Sequence, residues 1–154
     1  MALFSELRGR QAISIQEGDR LGDVRDFWID AAGLSVAAFL LLEEGNERVL
    51  KFSDVRKIGP DALMVETAAV AEPRTSNNPP AEWKLFSELS RLQVVSGEGV
   101  QLGALADIEF DPMTGRLISL ELRSGGVFGV GAKIEVVPIE SVRSFGTAAI
   151  TLVG

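Results

Sequence analysis

The sequence predicts an all-β protein made of two small β-barrels, each of five or six short antiparallel strands, related by internal duplication. Three observations predict this. Phe4-Ser5-Glu6-Leu7 returns as Phe86-Ser87-Glu88-Leu89, and the residues after each copy match in order. The first copy continues with Leu21-Gly22, Asp26, Asp30, Gly33, Ser53-Asp54-Val55 and Ile58-Gly59. The second continues with Leu102-Gly103, Asp107, Asp111, Gly115, Glu140-Ser141-Val142 and Phe145-Gly146. Apolar and polar residues alternate in short runs, the pattern of half-buried strands. Gly, Asp and Pro punctuate those runs and leave no amphipathic helix longer than a turn or two. Closure into a barrel is expected because it removes exposed strand edges. The repeats span residues 1–67 and 86–154, joined by a Pro-containing linker over 68–85.

The elements are plainest in the second repeat. Ala106 to Asp111 reads as a strand with Ile108 and Phe110 inward and Asp107, Glu109 and Asp111 outward. Pro112-Met113-Thr114-Gly115 makes a turn. Leu117 to Arg123 returns with Ile118, Leu120 and Leu122 on one face and Ser119, Glu121 and Arg123 on the other, so the pair is a hairpin. Ile134 to Pro138 is a short strand ending at proline, Glu140 to Val142 has room for one helical turn, and Ala149 to Val153 is a closing strand. The linker, with Pro73, Pro79, Pro80 and the polar Thr75-Ser76-Asn77-Asn78, reads as extended and partly mobile.

Charge narrows the function classes. The chain has 15 basic and 22 acidic residues, a net charge of −7, and neither repeat offers a basic stripe. Direct nucleic-acid binding and attraction to an anionic membrane both draw on clustered Lys and Arg, so neither is expected. Without cysteine there is no disulfide framework and no thiolate metal site. The longest apolar run, Val36 to Leu42, is too short to cross a bilayer. Met1 to Arg10 lacks the apolar stretch of a leader, and the expected location is cytoplasmic.

The ordered set of motifs resembles the PRC-barrel family: Ser-Glu-Leu, Gly-x-x-Leu-Gly, Asp-x-x-x-Asp, a Gly turn, an alternating strand, a Gly-rich loop, Val-Pro-Ile-x-x-Val and Phe-Gly. The second repeat, Phe86 to Leu152 with Val136-Val137-Pro138-Ile139, is the nearer match. The first carries Lys51 where a family-like proline would stand and lacks the Gly-rich loop. The resemblance implies a barrel used as a docking module, with no catalytic residues to transfer. It also implies an alternative, a ribosome-maturation or RNA-processing accessory role, since a maturation factor carries such a barrel.

The residues themselves give the same expectation about catalysis. With no His, Cys or Tyr, acid–base work would fall to carboxylates or lysine, and serine- or cysteine-type nucleophile pairs cannot be assembled. Asp26 with Asp30, and Asp107 with Asp111, are the candidates, but four residues of strand span roughly 13 Å, too far to share a metal or flank one bond. Asp30 and Asp111 suit the opening of a hairpin turn through side-chain to backbone hydrogen bonds. No metal or cofactor is expected. In Gly125 to Lys133, Ala132 separates Gly131 from Lys133 and a strand comes next, so a phosphate loop is not formed. Phe128 in that loop either tucks onto the barrel or anchors a partner.

A candidate interaction surface emerges from comparing the repeats. Matching Gly33 to Gly115 pairs Trp28, Ala37, Phe39 and Leu41 with Glu109, Ser119, Glu121 and Arg123, so the first hairpin is apolar where the second is polar. Aligning the turn one residue differently gives Ala38, Leu40 and Leu42 instead, because a one-residue slip swaps faces. Either face needs a cover: the second repeat or the linker residues Trp83 and Leu85, a homodimer partner, or a different protein. The expected function is a non-enzymatic protein–protein interaction or assembly module. A small-ligand or metal-binding regulator is a further alternative, requiring a cleft between the barrels.

Overall fold

The computed structural model describes residues 1–125 and 132–153. The first repeat runs β1 (Ala2–Leu3), the single-turn helix α1 (Phe4–Leu7), β2 (Gln11–Ser14), β3 (Arg20–Asp30), β4 (Ser35–Glu43) and β5 (Asn46–Lys51). A 3-10 turn, Phe52–Asp54, then leads into β6 (Val55–Ile58) and β7 (Ala62–Val65). The linker supplies β8 (Ala71–Pro73) and β9 (Trp83–Leu85). The second repeat continues with α2 (Phe86–Leu89), β10 (Gln93–Val95), β11 (Gln101–Phe110), β12 (Leu117–Ser124) and β13 (Lys133–Pro138). Its own 3-10 turn, Ile139–Ser141, leads into β14 (Val142–Phe145) and β15 (Ala149–Leu152).

Each repeat is one strongly bent sheet. The strand orders are β6-β7-β2-β3-β4-β5 and β14-β15-β10-β11-β12-β13, so the same path is traced twice. The two ends of each path, β5 with β6 and β13 with β14, are consecutive in sequence and only a three-residue 3-10 turn apart. That short connection is what curls the sheet round its core. One pairing per repeat, β2 with β7 and β10 with β15, is parallel, a departure from the antiparallel order expected throughout. The parallel pair arises because the last strand of a repeat returns beside the first across the whole unit, not through a hairpin.

The bend is helped by bulges at matching positions. The β3–β4 register slips between Val24 and Asp26 and between Trp28 and Ile29, and the β11–β12 register slips at the counterparts Leu105/Asp107 and Glu109/Phe110. A bulge adds a residue to one strand and increases local twist. It also breaks strict alternation, so Val24 and Phe27, three apart, both enter the core. Close backbone approach is met at Gly22 (φ +132°) and Gly103 (φ +144°), where the neighbouring strand carbonyl leaves no room for a side chain.

The linker is not a free spacer. β8 adds to the β5 edge, and β9 pairs with β3 in the register Trp28↔Leu85, Ile29↔Lys84 and Asp30↔Trp83. Reciprocally, β1 pairs with β11, Ala2 opposite Phe110 and Leu3 opposite Glu109. Each repeat therefore lends its opening strand to the other. One continuous core results, holding Phe4, Phe27, Phe39 and Leu41 of the first repeat with Phe86, Ile108, Phe110 and Leu120 of the second.

Gly103→Ala is expected to destabilise the fold by about 1–3 kcal/mol, since its Cβ would press on the Arg123 carbonyl oxygen at a strained φ. Gly45→Ala, also at positive φ but with open space around it, should cost less. Urea unfolding of the two variants side by side checks the order.

Candidate functional site

The junction between the repeats is built from the duplicated Phe-Ser-Glu-Leu segments. As α1 and α2 these make only one helical turn, and their first residue points into the shared core. The Phe4 ring lies 4.2 Å from Phe27 and 5.1 Å from Phe86, and Phe27 stacks on Phe86 at 5.6 Å. Tilted and offset arrangements of this kind are the favourable ones for aromatic rings.

The second residue of each segment finds a carboxylate on the opposite repeat. The Ser5 backbone N–H and hydroxyl both donate to Asp107, whose carboxylate also accepts from the Ile108 N–H at 2.9 Å. Asp26 mirrors this, accepting from the Phe27 N–H at 2.9 Å and the Ser87 N–H at 3.2 Å. Asp26 and Asp107 are only 6% and 7% exposed. Strand alternation predicts Asp107 on the outward face. It does lie on the side away from its own barrel core, but the other repeat's segment covers that side. Such burial is tolerable because the carboxylate is hydrogen-bonded.

The hairpin tips complete the junction. The Val36 N–H donates to the Gly115 carbonyl at 2.8 Å and the Leu117 N–H to the Leu34 carbonyl at 2.9 Å. Asp30 accepts from the Ala32 and Gly33 N–H groups and Asp111 from the Met113 N–H, as turn-opening aspartates do. The Met113 N–H is the main reason the Asp111 carboxyl is held below its ordinary value of 3.8.

The predicted surface residues divide. Phe39 and Leu41 are wholly buried in the shared core and belong to no outer face. The two hairpins have the same length, Trp28 pairing with Ala38 as Glu109 pairs with Ser119, so Gly33 matches Thr114 in place of Gly115. Ala38 and Leu40 join Trp28 and Val49 on the outer side, and the one-residue alternative describes the face. That face is covered within the chain by Leu85 and Trp83, with half-buried Ala37 at its margin. Arg74 closes it, its guanidinium 5.4 Å from the Trp28 ring centre and 3.3 Å from Glu47. Phe128 lies outside the described residues.

Two further features stand out. The first is a cavity of about 390 Å³ where the repeats meet, in the place a cleft between the barrels was expected to lie, lined by Arg8, Arg25 and Arg74 together with Asp26 and Glu47. The second is the outer edge of β13, which among the described residues pairs only with β12, and whose Ile134 and Val136 are 54% and 62% exposed. Among the described residues no group of three or more Asp or Glu is placed to hold a metal ion, and no helix is long and apolar enough to cross a membrane.

The fold and its junction define a class: a duplicated small-barrel protein whose repeats are fused through exchanged opening strands. A model of the PRC-barrel domain matches residues 1–71 and again 84–153, and the chain belongs to that family as a tandem pair. The second match begins at 84, inside β9, in keeping with β9 being the counterpart of β1. A comparison with curated proteins finds no match.

Asp107→Ala leaves the Ser5 and Ile108 N–H groups without their acceptor and is expected to cost about 1–3 kcal/mol. Measured as a double-mutant cycle with Ser5→Ala, the two losses should be coupled and sum to more than the double variant loses. Acid unfolding offers a separate check on Asp111. Because its folded-state value is lowered, its contribution is fully present above 3.8 and is lost as pH falls from there through the lower folded value. Asp111→Asn should therefore flatten the acid limb in that range.

Proposed function

We propose that the protein is a non-enzymatic assembly module, a rigid double barrel that works in the cytosol by contact with other protein. The observation that carries this reading is the fate of Asp26 and Asp107. They are matched carboxylates of the two repeats, nearly buried at the junction, and each accepts one backbone N–H from the opposite repeat, Ser87 to Asp26 and Ser5 to Asp107, besides one from its own strand. A chain without His, Cys or Tyr that commits its best-placed carboxylates to holding itself together is furnished for shape and surface rather than for proton transfer. Its net charge is acidic and its barrels are locked, which suits recognition with little ordering cost on binding. A ribosome-associated role falls within the same reading, with a basic protein as the contact in place of RNA.

A second reading has one observation in its favour. The cavity has three arginines, Arg8, Arg25 and Arg74, in its lining in an acidic protein, a composition that would suit a small oxyanion such as phosphate or a carboxylate. On this reading the module is a ligand-responsive regulator. Asp26 and Glu47 in the same lining offset much of the positive charge, and for that reason it stands second.

Crosslinking in the native cell with a tagged chain at its natural level, together with a thermal-shift series with phosphate, nucleotides and divalent ions, separates the two. The assembly reading expects protein adducts of fixed stoichiometry and a melting temperature that the small molecules leave within about a degree. Recovery of the chain free of protein contact, together with a rise of several degrees with phosphate, would overturn it in favour of the regulator.

A further inference from the structure

We propose that the outer edge of β13 is a self-association site, where a second copy of this chain adds its own β13 antiparallel and joins the two sheets into one. The proposal deepens the assembly reading and rests on it.

The internal duplication provides the comparison. β5 and β13 occupy the same place in their repeats, with Leu50 matching Val137, Val49 matching Val136 and Glu47 matching Ile134. In the first repeat this edge is taken: β8 lies on it, Arg48 opposite Pro73 and Val49 opposite Glu72, and the Arg74 N–H donates to the Glu47 carbonyl at 3.0 Å. The backbone groups of Glu47 thus face outward, and so do those of its counterpart Ile134. Pro138 agrees, since an edge strand tolerates proline where its nitrogen faces away from the neighbouring strand, and the alternation again turns Val136 and Ile134 outward. Among the described residues nothing takes these groups, and the two side chains at the site are the apolar Ile134 and Val136, more than half exposed. Strand edges of this kind add strands.

Charge selects the occupant and the register. Two copies of β13 related by a two-fold axis through Ile134 place Ile134 opposite itself and Lys133 opposite Glu135 twice over, two favourable cross-strand pairs flanking an apolar one. Centring on Lys133 or on Glu135 sets like charge against like. Centring on Val136 puts Ile134 opposite Pro138, which has no N–H to give. Only the Ile134-centred register satisfies the strand, and its self-complementarity is what an isologous contact requires.

Light scattering over a concentration series tests this on the full chain. The wild type is expected to approach twice the chain mass as concentration rises. Lys133→Glu and Glu135→Lys, each placing like charges across the axis, should each hold the chain at the single mass, as should Ile134→Lys. The double charge swap, Lys133→Glu with Glu135→Lys, should restore the dimer. All these side chains are exposed, so unchanged melting temperatures will show that the fold is intact. A wild type that stays at single mass throughout, or a dimer indifferent to the single charge reversals, overturns the proposal. If such a monomer still forms adducts with other proteins in the cell, only the self-association is lost, whereas a chain free of all protein contact takes the assembly reading with it.

Discussion

The reciprocal exchange of the opening segments is the constraint on which the rest of the molecule depends. Each Phe-Ser-Glu-Leu segment brings an aromatic ring into the shared core and a serine onto a buried carboxylate of the opposite repeat. A buried carboxylate is costly unless it is hydrogen-bonded, and the donors for Asp107 and Asp26 come largely from the other repeat. Separation of the repeats would therefore break these hydrogen bonds and open the Phe4, Phe27, Phe86 cluster to water at once. A repeat of this size has too small a core to stand comfortably alone, and the exchange lets two half-sized cores act as one.

Around this symmetric junction the outer faces have diverged. Where the first repeat has Trp28, Ala38, Leu40 and Val49, the second has Glu109, Ser119, Glu121 and Val136 at the matching register positions. The apolar set is buried beneath Trp83 and Leu85, while in the second repeat the Ser119 hydroxyl donates across to Glu109. The difference has its cause in the linker. A chain that leaves β7 must travel back to β3 to deliver β9 there, and its route passes β5, where it forms β8. That detour arises once in a tandem pair, so one repeat gains an apolar face and a covered edge while the other keeps a wet face.

Much of this was legible in the residues. The duplication, the hairpins and the turn-opening roles of Asp30 and Asp111 come from local chemistry, because turns and strand alternation act over a few residues. The place of glycine within the turn was not legible, and it decides the face assignment: Gly33 sits one position earlier in its hairpin than Gly115, so Phe39 and Leu41 turn inward and Ala38 and Leu40 outward. Matching the two turn glycines therefore errs by one. The exchange also lay outside what strand patterns reveal, although a signal existed. Ser5 and Ser87 recur together with Asp107 and Asp26, and in the fold both serines meet the carboxylates through their backbone N–H, Ser5 through its hydroxyl as well. The same is true of the linker, whose prolines suggest a mobile spacer although Trp83 and Leu85 are residues that seek burial.

The β13 edge shows how far internal comparison can reach in such a protein. A free edge in an isolated barrel says only that a strand could be added, and many natural edges are guarded against that with charge or proline. Here Lys133, Glu135 and Pro138 look like such guards when the strand is considered alone. The first repeat changes their meaning, because its own edge has Arg48 and Lys51 at the positions of Glu135 and Pro138 and still carries a paired strand. Charge at this edge therefore does not prevent pairing; it restricts which strand can pair and in which register. In a self-pairing, a Lys and a Glu two residues apart set like charge against like when the axis passes through either of them and pair favourably when it passes between them.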